Sequence, residues 1–246
     1  MENPQHLDDI LQDWPFDPSA VSVRLVHGDD DREVIQMRIE MGVLQLETSG
    51  RPDGVLQEGH DTVFAHLRSL KEESDGDFVL TEEQCFESDR EFVQFYHRRI
   101  CWLALQQYEF AVLDADHSLA LMDFCRDHSP DEEWTLSHEQ YRPFVMYHRI
   151  QANALAHVET DSPERAVESI NRGLDKLREV FDEHEAEDQF EDDELVQRLV
   201  ELRETLRSQF DVGKTLQEQL ADAVAQEHYE LAAKLRDQLD ERRPSN

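Results

Sequence analysis

Residues 213–215, with the sequence Gly-Lys-Thr, have the types and order that end a phosphate-binding P-loop. In that motif a glycine-rich turn after a strand cradles the phosphates, and the lysine reaches their charge. The first glycine of the motif would fall at Ser208, and no strand is predicted before it. We therefore interpret the match as chance and predict no phosphate site here.

Cys125 and His128 have the spacing of a pair of metal ligands. A zinc site needs three or four ligands, and the nearest other candidates, His117 and His138, complete no recognised pattern with them. The sequence also lacks the HExxH motif of metalloproteases and the GxSxG motif of serine hydrolases. It predicts no catalytic residue, no metal site and no cofactor, and therefore a protein that is not an enzyme.

The chain of 246 residues carries 57 acidic and 24 basic residues, which gives a formal net charge of −33. Binding to nucleic acid depends on clustered Lys and Arg, so this charge argues against direct contact with DNA or RNA. No apolar stretch approaches the roughly 18–20 residues of a membrane span, and no basic, apolar leader begins the chain. Scattered Cys85, Cys101 and Cys125 fit reduced thiols. We expect a cytoplasmic protein.

The segment from Thr215 to Arg243 predicts two short amphipathic helices folded back on each other. Apolar residues recur at helical spacing in each arm, namely Leu216, Leu220, Ala223 and Val224 in the first and Leu231, Leu235 and Leu239 in the second. Two helices of this length cannot enclose a core by themselves. The hairpin is therefore expected to dock on another surface.

The same segment has specific residue types at fixed positions, in addition to its helical periodicity. The matching positions are Leu216, Leu220, Ala223, Tyr229, Glu230, Ala232, Ala233, Leu235, Arg236, Asp237 and Leu239. This pattern resembles the UVR motif, a helical hairpin found in the bacterial excision-repair proteins UvrB and UvrC, in Clp chaperones and in activators of arginine kinase. The resemblance implies that Ala232 and Ala233 allow close helix approach and that Tyr229 covers the seam at the turn. His228 departs from the Asp or Asn usual at the N-cap of the second helix.

The resemblance also implies a partner. A second UVR-type hairpin would pair with this one, supplied by UvrB, UvrC, a Clp chaperone or a second copy of the chain. The predicted partner-binding residues are Leu216, Leu220, Ala223, Tyr229, Ala232, Leu235, Arg236 and Leu239. Periodicity alone favours a simpler alternative, a terminal hairpin packed on its own domain.

The N-terminal part predicts a short helical turn at Leu7 to Leu11 and then a three-stranded β-meander. Apolar and polar residues alternate over 21–25, 35–41 and 44–46, with turns at 28–31, at Gly42 and at 49–54. The alternation predicts one apolar face and one wet face. The nearest helix available to cover the apolar face is Thr62 to Leu70.

Helical spacing predominates from Thr81 onward. It predicts a helix after Thr81, a second from Tyr108, a charged loop from Arg126 to Glu133, and a further pair at Tyr141 to His157 and Pro163 to Phe181. The acidic stretch from Asp182 to Glu194 is predicted as a solvated linker or helix end. A last helix, Leu195 to Phe210, precedes Gly213, the expected joint to the hairpin.

The two helix pairs resemble degenerate tetratricopeptide repeats. Small or apolar residues match at Tyr108, Ala111, Ala115, Ser118 and Leu119 in the first pair and at Ala154, Ala166, Gly173 and Leu174 in the second. Arg99 stands where a small residue is expected. Ala111 and Ala166 are also further apart than one repeat of 34 residues, so an insertion must separate the pairs. An ordinary helical bundle is the alternative.

Together these patterns predict an α+β fold that is predominantly helical. It comprises an N-terminal module with a meander over 1–75, a tetratricopeptide-like helical body over 80–212 and a UVR hairpin over 213–246. We expect a non-catalytic adaptor that binds a protein through the hairpin. The alternative is a ligand-binding protein or enzyme whose site lies around Arg51 to Gly54 and the helical body.

Overall fold

The computed structural model describes residues 7–28 and 30–241. Ten α-helices occupy these ranges: α1 Asp8–Leu11, α2 Val63–Glu73, α3 Glu82–Ala104, α4 Tyr108–His128, α5 Glu132–Glu139, α6 Arg142–Glu159, α7 Pro163–Glu183, α8 Glu194–Phe210, α9 Leu216–Ala225 and α10 Tyr229–Glu241. The strands are β1 Val23–His27, β2 Glu33–Ile39 and β3 Gly42–Glu47. The chain divides into two compact units, Met1–Ala152 and Asn153–Asn246, whereas the sequence predicted divisions near 75–80 and at 212–213.

The strands form the predicted antiparallel meander in the order β1, β2, β3. Leu25 pairs with Ile35, which pairs in turn with Leu46, so one face is lined by apolar side chains. The prediction extended this apolar face too far, because Ile39 is 43% exposed and Met41, in the turn after β2, is 81% exposed.

The opposite face of the sheet is not wholly wet, contrary to the prediction. Val34 and Arg38 lie on it and are buried. The guanidinium of Arg38 donates to the carbonyl oxygens of Trp14 at 2.8 Å and Gly42 at 3.0 Å, and Arg24 stacks over the Trp14 ring at 4.2 Å. The segment before β1 therefore covers one end of this face.

The apolar face is covered by α3 and α4, not by α2 as predicted. Ile35, Met37 and Leu46 share a core with residues from the C-terminal half of α3, the start of α4 and α6, namely Cys101, Trp102, Ala111 and Ala152. Helix α2 buries Val63 and Leu67 in a different cluster with Leu80, Cys85, Leu121 and Cys125. Periodicity identified the two apolar surfaces but could not determine which helix covers the sheet.

Buried charges join the sheet to the helices. Arg98 on α3 donates to both carboxylate oxygens of Asp114 on α4, with the shortest contact at 2.7 Å. Its Nη1 donates to the carbonyl oxygens of Glu47 at 3.1 Å and Gly50 at 2.8 Å. The one guanidinium thus fixes α3, α4 and the end of β3 together.

The predicted helices of the body form, with one addition. A short helix, α5, replaces the end of the charged loop, and only residues 129–131 separate it from α4. Its N-cap is Asp131, whose side chain accepts from the Trp134 amide at 2.8 Å. The small residues Ala111, Ala115, Ala154 and Ala166 are all fully buried, but the tetratricopeptide-like character of the body stays a prediction.

The acidic stretch after α7 is more ordered than a solvated linker. It contains a 3₁₀ helix from Glu187 to Asp192, whose Phe190 is buried with its ring edge-on to Phe181 at 5.4 Å. Asp193 caps the start of α8, and the C-cap of α8 is Asp211, which has left-handed backbone angles. The joint before the hairpin therefore depends on Asp211 rather than on Gly213 alone.

Candidate functional site

Helix α9 begins with a reciprocal capping box at Thr215. The Thr215 hydroxyl accepts from the Glu218 amide at 3.3 Å, and the Glu218 carboxylate accepts from the Thr215 amide at 2.8 Å. This arrangement satisfies two backbone donors that would otherwise lack partners. It also gives Thr215, the third residue of the P-loop-like stretch, a structural role.

Arg207 of α8 contributes a charged anchor to the start of the hairpin. Its Nη2 donates to both oxygens of the Glu218 carboxylate. Burial would raise the pKa of Glu218, but the hydrogen bonds from Arg207 and the Thr215 amide outweigh it and lower the pKa to about 2. Glu218 is therefore ionised at neutral pH and fixes the entry to α9.

The two helices of the hairpin share a small apolar seam. Ala223, Ala232 and Leu235 are buried in it, with half-buried Leu216 and Leu220 packed around them. Leu239 is also half-buried. Five of the eight predicted partner-binding residues thus lie in or beside the seam between α9 and α10, while Tyr229 and Arg236 are exposed. Their part in binding a partner stays a prediction.

Two expectations about the turn are wrong. Tyr229 is 68% exposed and does not cover the seam, and Ala233 is exposed on the outer side of α10. The seam is formed instead by small Ala223 and Ala232, which are both buried in it together with Leu235. Tyr229 is therefore available to another surface.

His228 occupies the N-cap position of α10, as predicted. Its carbonyl oxygen accepts the first helical hydrogen bond, from the Ala232 amide at 3.0 Å. Among the residues that the structure describes, its imidazole accepts no hydrogen bond from the first-turn amides. The start of α10 thus lacks the side-chain cap that α9 has.

Apolar side chains around the turn project to different sides of the hairpin. Successive residues are rotated by about 100° around a helix. In this antiparallel pair, Val224 of α9 and Tyr229 of α10 therefore project to the same side of the plane that contains the two helix axes, and Leu231 of α10 projects to the opposite side. These residues are 49%, 68% and 48% exposed, respectively. We call the side with Val224, Tyr229 and Arg236 the tyrosine side. Sequence periodicity grouped Val224 and Leu231 with the seam and missed this sidedness.

Comparison with protein families gives one match. The family model of the UvrB/uvrC motif matches residues 214–241. This segment carries a UVR motif. The motif is associated with protein–protein interactions and with DNA repair. No curated protein and no solved structure matches the chain.

Cys125 and His128, which have the spacing of a pair of metal ligands, are engaged or buried within the fold. His128 donates from Nδ1 to the carbonyl oxygen of Phe78 at 3.1 Å, and Cys125 is a buried free thiol. Within residues 7–28 and 30–241, no group of three or more His, Cys, Asp or Glu side chains could hold a metal ion. In the same ranges, no helix is both long and apolar enough to cross a membrane.

Proposed function

We propose that this protein is a non-catalytic, cytoplasmic adaptor whose UVR hairpin pairs with the UVR-type hairpin of a different protein. The observation that carries the proposal is the tyrosine side of the hairpin. Val224 and Tyr229 lie at its turn with half or more of their surface in solvent, although the seam beneath them is already filled. Exposed apolar residues beside a complete seam are typical of an interaction surface.

The chemistry of this side suits another helical hairpin. Tyr and Arg are the residue types that most often dominate the binding energy of interfaces, and here Tyr229 and Arg236 frame small Ala233. A small residue between two large ones allows a partner helix to approach closely. Two hairpins packed in this way would form a four-helix arrangement with an enclosed core.

Charge favours a different protein over a second copy of this chain. Residues 214–241 hold three basic and seven acidic residues, and the whole chain has a formal charge of −33. Two copies would repel each other through these fields, whereas a hairpin with a basic rim would be attracted. We therefore expect the partner to carry an excess of Lys and Arg around its apolar surface.

The proposal is tested by comparing two substitutions at opposite sides of one hairpin. Full-length protein, Tyr229→Ser and Leu231→Ser are used as bait in native cytoplasm, and captured proteins are identified by mass spectrometry. We expect wild type and Leu231→Ser to retain a UVR-containing protein and Tyr229→Ser to lose it. Both positions are exposed, so neither change should unfold the seam.

Sedimentation of the purified chain tests the choice of partner. We expect a monomer at micromolar concentration. A dimer that Tyr229→Ser dissociates would replace the proposed partner with a second copy. Capture of the same proteins by wild type and Tyr229→Ser, or of no protein with a UVR-type hairpin, would contradict the adaptor function itself.

The predicted alternative, a site around Arg51 to Gly54, has less support. The guanidinium of Arg51 is buried and donates to Glu87 at 2.7 Å, Gln94 at 3.0 Å and Gln57 at 3.3 Å. It also lies 3.3 Å from Asp53. These contacts satisfy Arg51 and fix the loop after β3 to α3, which is a structural role.

A further inference from the structure

The unit of residues 1–152 contains a cavity of about 720 Å³ between α3, α4, α5 and the start of α6. Its walls are mostly apolar and include Phe92, Tyr96, Met122, Tyr141, Phe144 and Val145. The volume lies within the roughly 300–1,000 Å³ of small-molecule sites. The mouth is open to solvent, because Tyr141 is 57% exposed. The cavity shares no residue with the UVR hairpin.

A buried cation without an ionic partner lines this cavity. Arg99 is 2% exposed. Its Nε donates to Nδ1 of His148 at 3.3 Å, and its Nη1 donates to the Ser118 hydroxyl at 3.1 Å. Among the described residues, Nη2 has no hydrogen-bond partner and no carboxylate lies within ion-pair distance of the guanidinium.

The surrounding groups do not neutralise Arg99. Asp114, the acid whose charge acts on it, already accepts both contacts from Arg98. Burial and the charge of Arg99 lower the pKa of His148 to about 4, so the imidazole is a neutral acceptor at physiological pH. Burial lowers the pKa of Arg99 only to about 10, so its guanidinium stays charged.

The acid at the other end of the cavity is already engaged. Asp89 accepts from Nε1 of Trp134 at 3.0 Å and from the His138 imidazole at 2.8 Å. Asp89 and Arg99 are ten residues apart on α3, or about 15 Å along the helix axis. An elongated ligand can therefore place an anion at Arg99 without approaching Asp89.

We propose that this cavity binds an elongated apolar molecule with a single carboxylate, which pairs with Arg99 while the apolar part lies against the aromatic wall. An unpaired charge is costly to bury, and a carboxylate would supply the missing partner with the planar geometry that guanidinium favours.

The test compares three ligands with the same alkyl chain. Full-length protein is titrated by calorimetry with decanoate and decyltrimethylammonium below their micelle concentrations and with decanol below its solubility limit. We expect decanoate to bind at least tenfold more tightly than either of the others. Non-specific attraction to a chain of charge −33 would give the reverse order, with the cation tightest.

Two arginine substitutions locate the anion site. Arg99→Met keeps the length of the side chain and removes the charge, so we expect it to bind decanol as before and to lose the preference for decanoate. Arg149→Met removes a partly exposed arginine of α6 that pairs with Asp116, and should retain the preference. Circular dichroism verifies that each variant is folded.

The wild-type ligand order decides the proposal even if Arg99→Met does not fold. In that case Arg99→Lys, which keeps the charge with a single point of contact, should bind decanoate more weakly than wild type but still more tightly than decanol. Decanol binding as tight as decanoate in wild type, or an unchanged preference in folded Arg99→Met, would overturn the proposal.

Discussion

Residues 7–152 and the UVR hairpin use charged side chains in opposite ways. In the first region, Arg98 and Asp114 are both buried and hold two helices and the sheet together. In the hairpin, the ion pairs of Arg207 with Glu218 and Lys214 with Asp222 are partly exposed and act near its first turn. The buried pair helps to determine the fold of residues 7–152, whereas the partly exposed pairs only orient the hairpin.

Apolar packing shows the same contrast. The core beneath the sheet combines residues of β2, β3, α3, α4 and α6, which are far apart in sequence. Among the residues that the structure describes, the seam of the hairpin consists of Leu216, Leu220, Ala223, Ala232 and Leu235. A core of this size stabilises little by itself. The hairpin therefore has a smaller apolar cluster of its own than the N-terminal region, which agrees with the proposed docking on a partner.

Removal of Asp114 should have the largest effect on stability. Asp114→Ala leaves the buried Arg98 without its carboxylate partner, and we expect it to lower the free energy of unfolding by about 3–5 kcal/mol. Asp116→Ala is the matched control on the same helix, because its pair with Arg149 is partly exposed; we expect about 0–1 kcal/mol there. Urea denaturation measures both, and equal losses would contradict the contrast between buried and exposed charge.

Leu235→Asp should unfold the hairpin without affecting the N-terminal region. It introduces a charge into the seam, where Leu235 is 5% exposed, and truncating a buried Leu already costs about 2–5 kcal/mol. Hydrogen exchange should show loss of protection in α9 and α10 and no change in α3 or α4. Partner capture should be lost with it.

Leu231→Asp provides the control on the same helix. Its side chain projects away from both the seam and the tyrosine side, so protection and partner capture should persist. Exchange that spreads into α3 and α4 in Leu235→Asp would show that the hairpin stabilises the N-terminal region, and would favour a terminal hairpin packed on its own chain.

The sequence predicted elements better than their contacts. Alternation located the three strands and helical spacing located α3, α4, α6, α7 and α8, because periodicity reports which face of an element is apolar. It could not assign α3 and α4 as the cover of the sheet, since that choice depends on contacts between distant residues. Helix α5 was missed because its residues lack an apolar stripe, although Asp131 offered an N-cap signal.

For the candidate sites too, residue positions could be predicted better than side-chain contacts. The UVR residues could be identified from the sequence because their types are specific, but the exposure of Tyr229 could not, because it depends on the packing of the two helices. The cavity was harder to predict from the sequence than the UVR hairpin. Arg99 was visible only as a mismatch to a repeat pattern, and its lack of an ionic partner follows from Arg98 occupying Asp114.

The lowered pKa of Glu218 predicts that its contacts at the start of α9 stabilise the folded hairpin in a pH-dependent way. The folded pKa is about 2, below the ordinary value of 4.5, so the stabilisation is complete above pH 4.5 and is lost as the pH falls towards 2. Glu218→Gln should lose about 1–2 kcal/mol at neutral pH, the order of a charged hydrogen bond. Urea denaturation from pH 7 to pH 3 should show the difference from wild type shrink as the pH falls.

Glu230→Gln controls for the loss of one charge, because Glu230 is exposed on α10. It should differ little from wild type at any pH in this range. A difference between Glu218→Gln and wild type that stays constant from pH 7 to pH 3 would mean that the Arg207 contact does not stabilise the folded hairpin.

The smallest effect is expected at the turn, where α10 lacks the cap that Thr215 gives α9. His228→Asp places a carboxylate oxygen at the N-cap, and we expect the hairpin to gain about 0.5–1 kcal/mol from the new hydrogen bond and the helix dipole. His228→Asn separates these contributions, since it caps without charge. His228→Ala should match wild type, because the imidazole caps no amide. Thermal melts and exchange of the Tyr229 to Ala232 amides measure the series; a loss of stability in His228→Ala would show that the histidine already stabilises the turn.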